Sequence, residues 1–164
     1  MVRKNSVLCK LKEYLSYLIE LIDRASNSCS IPFIAFGLRL LMELTALCIY
    51  IDLHHVYKDL DLDRKMSLLR SFDFSEMITR STFFRRLVIE KLGTDEGREF
   101  INHMKSVYGT LSQFLHTPIT PCVVSLTPFN PCRCVEELKY LETVRFDVHN
   151  IIKKLIYIWS RSMK

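Results

Sequence analysis

Hydrophobic residues recur at helical spacing along most of this chain. Between residues 5 and 25, Val7, Leu8, Leu11, Leu15, Leu18 and the Leu21–Ile22 pair share one side. Lys10, Lys12, Glu13, Glu20 and Asp23 lie opposite, which predicts an amphipathic helix. The polar run 25–30 ends it, and Ser30 is placed to cap a second helix that carries Pro32 in its first turn. That second helix, to about His55, is apolar nearly all round and is expected at the centre of the fold. Residues 56–72 form a charged connection with room for a short helix. Asp73 and Glu76 have capping-box spacing and open a helix that Gly93 closes. Thr94 or Asp95 caps the next, which buries Ile101, Met104, Tyr108, Leu111 and Leu115 and stops near His116, because Thr117 precedes Pro118.

A proline-rich loop at 117–133 leads to a final helix over 134–162. Val135, Leu138, Leu141, Val144, Val148, Ile151, Ile152, Leu155, Ile158 and Trp159 form its apolar stripe. At 1.5 Å per residue it runs roughly 40 Å, more than a small bundle needs, so an overhang covering a partner subunit is expected. The pattern predicts a single all-α domain over residues 1–164, an up-and-down bundle of about five helices with a long C-terminal helix. Four glycines and five prolines, four of the latter between 118 and 131, leave long stretches without helix breakers. Hydrophobic residues at 49% and charged residues at 25% place the chain among globular proteins rather than disordered ones.

Residues 31–51 are long enough to span a bilayer. Arg39 and Glu43 sit near their centre, and each costs about 2.5–3.5 kcal/mol on insertion. A buried core helix is the expectation, with no membrane contact. No signal-peptide pattern opens the chain, and a cytoplasmic location is expected. The six cysteines include no C-x-x-C pair, so free thiols in a reducing compartment are expected. Cys9 and Cys48 fall on apolar helix faces. Cys29, Cys122, Cys132 and Cys134 are the candidates were disulfides to form.

The formal charge is +5. Asp59, Asp61 and Asp63 crowd one loop, while Arg80, Arg85 and Arg86 make a basic strip and are the candidate nucleic-acid contacts. The five histidines show no H-E-x-x-H spacing, and His54–His55 adjoins the acidic loop without metal-ligand geometry. Glycine-rich phosphate loops and G-x-S-x-G elbows are missing too, so neither metal nor cofactor is expected.

Arg39 and Glu43 are four residues apart and share a face of the second helix. Burying both costs several kcal/mol per ion unless they are paired and hydrogen-bonded. Tyr108, Ser112 and His116 follow at four-residue steps on the fourth helix, and His116 ends it where the helix dipole favours a protonated ring. Arg39, Glu43, Tyr108, Ser112 and His116 are therefore expected to form one buried polar cluster.

These residues carry a resemblance. An R-x-x-x-E core helix (Arg39, Glu43) is followed by a helix ending Y-x-x-L-S-x-x-L-H (Tyr108, Leu111, Ser112, Leu115, His116) and one long final helix. Over about residues 5–160 this resembles the HEPN superfamily of helical bundles. The resemblance implies a protein acting on or binding RNA in a defence or toxin–antitoxin setting, homodimeric or partnered with a nucleotidyltransferase. If it is an enzyme, it is a metal-independent ribonuclease using an R-x(4–6)-H motif. With His116 as the family histidine, the arginine should stand at 109–111, which hold Gly109, Thr110 and Leu111. The literal match is Arg98 with His103. Five residues turn a helix by about 140°, so those two do not converge within one protomer. The candidate catalytic residues are thus His116 with Arg39, and Arg98 with His103. A non-catalytic dimeric interaction module and a small-ligand or nucleotide sensor are the alternatives.

Overall fold

The computed structural model describes residues 5–28, 30–116 and 131–163. Those residues form seven helices and no strand. The first, α1 (Val7–Asn27), starts where the Ser6 hydroxyl accepts from the Cys9 amide. It buries Val7, Leu18 and Ile22, with Leu8, Leu11 and Leu15 at the edge of the same stripe. Cys9 and Leu21 are exposed, against the expectation that both sit on the apolar face. Each falls just outside the arc of α1 that meets its neighbours.

The central element is α2 (Ile31–Leu53), which buries most of its residues from Ile34 onward and every one from Thr45 to Asp52. Fully buried side chains such as Met42 and Ile49 each contribute roughly 1.5–3 kcal/mol. It is also the one helix among the described residues long and apolar enough to cross a membrane, and most of its apolar span is buried within the fold. Ser30 stands at its N-cap without a side-chain cap bond and Pro32 lies in the first turn. Gly37 lets α1 approach closely, since a Cβ there would lie 2.5 Å from Ile22 Cγ1.

The charged connection holds α3 (Leu62–Ser71), capped by Asp61. The single helix expected between Asp73 and Gly93 is two, α4 (Phe74–Arg80) and α5 (Thr82–Leu92). Asp73 caps the first as predicted. Ser81 adopts an extended backbone (φ −70°, ψ 109°), and its hydroxyl accepts from the Phe84 amide at 3.1 Å. It therefore closes α4 and opens α5, and this split together with the short α3 brings the expected five to seven. Gly93, at φ 91°, closes α5 in the left-handed region that favours glycine. The next helix, α6 (Thr94–His116), begins immediately. Gly97 permits it to lie against α5, because a Cβ would meet Ile89 Cα at 2.9 Å.

The last helix, α7 (Pro131–Ser162), starts three residues before the predicted 134. Its 32 residues run about 48 Å. Leu141, Val144, Val148, Ile151, Leu155 and Ile158 are buried, whereas Val135 near the start of the stripe is exposed. α2 packs against α1, α3, α4, α6 and α7. Arg145 pairs with Asp23 across α7 and α1, and Lys154 with Glu96 of α6 at 2.8 Å. The expected proline-rich loop falls, in its 117–130 part, outside the described residues.

Candidate functional site

Arg39 Nε donates to Glu43 Oε1 at 2.8 Å, and its Nη2 donates to the Tyr108 hydroxyl at 2.7 Å. The guanidinium carbon also sits 4.6 Å from the Tyr108 ring centre, and Phe74 packs on that ring at 4.9 Å. One arginine thus joins α2 to α6, with α4 alongside. The predicted union of Arg39, Glu43 and Tyr108 is present. Its depth differs: the Arg39 and Glu43 side chains keep 24% and 21% of their exposure. The cause lies in the N-terminal half of α2, where Phe33 and Phe36 are open to solvent. The cluster stands at the rim of the core.

Burial alone lowers the arginine pKa, but the interactions with Glu43 and then Tyr108 together outweigh it and hold Arg39 above its ordinary value. Burial, then Glu43, pushes the Tyr108 phenol up. Arg39 is therefore a cation and Tyr108 a neutral hydroxyl near neutral pH. Ser112 does not join the cluster: its hydroxyl donates to the Tyr108 carbonyl at 2.8 Å, a bond within α6.

α6 ends at His116, whose side chain lies outside the described residues. Eight residues separate it from Tyr108, about 12 Å along the axis. Arg98 is exposed on α6, and His103 faces Asp147 of α7, Nε2 to Oδ1 at 3.6 Å, instead of an arginine. The structure leaves Arg98 and His103 apart, as their angular separation requires.

The basic strip is partly engaged. Arg80 pairs with Glu76 at 3.3 Å and Arg85 donates to the Thr79 carbonyl at 3.0 Å, all on the exposed side of α4 and α5. Arg86 is exposed. No group of three or more His, Cys, Asp or Glu among the described residues could hold a metal ion.

The most deeply buried ion pair among the described residues is one that sequence reasoning missed. Asp52 (4% exposed) and Lys65 (3% exposed) lie 3.5 Å apart beneath the start of α1. Asp52 accepts from Ser6 Oγ at 2.6 Å, Val7 N at 2.9 Å and Leu8 N at 3.3 Å, and so caps α1 from the far end of α2. Lys65 also donates to the Asn5 carbonyl at 3.0 Å. The available signal was a carboxylate inside the apolar run of α2, the same signal that singled out Glu43. Burial, and secondarily Asp52, pushes the nearby Cys48 thiol up, so it stays protonated and inert. Comparison with known proteins finds no family model, no curated protein and no solved structure that matches this chain.

Proposed function

We propose that this chain is a HEPN-like helical-bundle protein that binds RNA, with its R-x-x-x-E and Y-x-x-L-S segments serving to lock α2 to α6. The observation that carries the reading is the meeting of Arg39, Glu43 and Tyr108 at one point, since these residues carry the resemblance. Engaged by Glu43 and Tyr108, Arg39 holds the helix that ends in His116, and a catalytic role is secondary. RNA contact is assigned to the exposed Arg80, Arg85 and Arg86. The same reading carries an up-and-down order of the long helices, a homodimer and a cytoplasmic location. Its setting is defence or toxin–antitoxin, with a nucleotidyltransferase-type partner.

The test is anisotropy of a labelled structured RNA at two salt concentrations, with a cleavage assay in EDTA alongside. Binding that weakens with salt and with an Arg80/Arg85/Arg86 triple alanine variant, without cleavage, supports the reading. Cleavage abolished by His103→Ala or His116→Ala replaces it with the ribonuclease. Absence of binding at low salt refutes it and leaves the dimeric interaction module. That second reading is favoured by Phe33 and Phe36, 70% and 53% exposed beside the Arg39 cluster. Sedimentation reads it directly.

A further inference from the structure

A cleft of about 530 Å³ opens between the C-terminal end of α2 and the two junctions that flank α4. Four rings line it: Tyr50, His54, Phe72 and Phe83. Phe72 and Phe83 meet Tyr50 edge-on at 5.5 and 5.8 Å, and Phe83 meets His54 at 4.5 Å. The charged groups of the lining are Asp73, Glu76 and Arg80, two negative against one positive. Arg80 is paired with Glu76, and Asp73 commits Oδ1 to the Glu76 amide at 2.7 Å. His54 adds no positive charge near neutral pH, because burial, and then His55, lowers its pKa. Its Nδ1 accepts from the Val56 amide at 3.3 Å, so the neutral ring carries its proton on Nε2.

Uncharged rings beneath a net negative rim select among ligand classes. An anion meets two carboxylates, and an apolar group leaves those carboxylates unmatched. An organic cation meets both the rings and a carboxylate oxygen favourably. A guanidinium suits the site better than an ammonium, since it is planar, weakly hydrated and able to stack. The cleft has several times the room a guanidinium fills, so it also admits the peptide that brings one. We propose that this cleft takes an arginine side chain presented by a partner protein. The inference does not rest on the RNA reading, with which the cleft shares Arg80.

The test titrates an acetylated Gly-Arg-Gly amide and methylguanidinium into the full chain, following the aromatic ring protons by NMR. Acetate and AMP serve as anionic controls. The peptide should give saturable shifts at Tyr50, Phe72 and Phe83, with a Kd on the order of 1 mM. Methylguanidinium should bind more weakly and the anions not at all. Asp73→Asn retains a capping side chain, and Glu76→Gln releases Arg80 towards the cleft. Each should weaken the peptide roughly fivefold, as should Phe83→Leu. Because Phe83→Leu risks the fold, the two carboxylate variants on the surface of α4 decide the matter. Peptide shifts that never saturate, or that ignore both carboxylate variants, overturn the proposal. So does AMP binding in place of the peptide, or methylguanidinium binding as tightly as the peptide.

Discussion

Removing Asp52 and removing Lys65 should have unequal effects, although the two form one ion pair. With Asp52→Ala, the Ser6 hydroxyl and the Val7 and Leu8 amides lose their acceptor together. Lys65 is left buried with only the Asn5 carbonyl. An uncompensated buried charge costs about 3–5 kcal/mol. With Lys65→Met, a side chain of similar length fills the same space. Asp52 keeps three donors, which go on holding its charge, and the exposed Asn5 turns its carbonyl to water. The remaining loss is one contact at 3.5 Å, about 1–2 kcal/mol for a charged hydrogen bond of poor length. In a chain of 164 residues, 1 kcal/mol moves Tm by about 2–4 °C. Asp52→Ala should thus lower Tm by roughly 6–20 °C and Lys65→Met by roughly 2–8 °C. Urea titrations followed by Trp159, the sole tryptophan, give the free energies directly. Equal costs, or a larger one for Lys65→Met, would refute the reasoning and make attraction between the two charges the dominant effect.

Gly37→Ala forces a methyl to 2.5 Å from Ile22 Cγ1 in a buried contact and should cost about 1–3 kcal/mol in urea unfolding. Tyr108→Phe removes the hydroxyl that Arg39 reaches at 2.7 Å. At this half-buried site the loss should be about 0.5–1.5 kcal/mol, and a double-mutant cycle with Arg39→Met should return coupling of similar size. His54 has its folded pKa below the ordinary 6.5, from burial and then His55. The unfolded chain then binds more protons as pH falls below about 6.5. The contribution of neutral His54 is full above that value and fades below it, so the urea midpoint should drop on acidification, and His54→Phe should flatten the drop.

Much of the architecture was legible because burial in this chain follows helical spacing. Met104, Leu111, Val148 and Leu155 are buried where the stripes put them. Asp73 was readable as a cap because its partner lies three residues away. Ser81 was not, since the amphipathic pattern continues across it and only its backbone angles mark the break. Arg39, Glu43 and Tyr108 were legible as a group because spacing fixes faces. Their depth was not, because it depends on what leaves Phe33 and Phe36 uncovered, a tertiary matter. Asp52 and Lys65 meet across separate helices, and neither position alone reveals the other. The rings around His54 come from α2, the turn after it, the α3–α4 junction and α5, so no local motif announces them.

Gly93 and Gly97 also bear on the order in which the chain assembles. With one residue between α5 and α6, their pairing closes a very short loop and loses little chain entropy. Docking the start of α1 on Asp52 instead brings together groups 46 residues apart. Local pairings of the first kind are fast, and distant ones wait on them. The α5–α6 hairpin is the segment best placed to form early, with the docking of Ser6 and the start of α1 on Asp52 completed late. A methyl at Gly97, pressed against the Ile89 backbone, should then slow refolding.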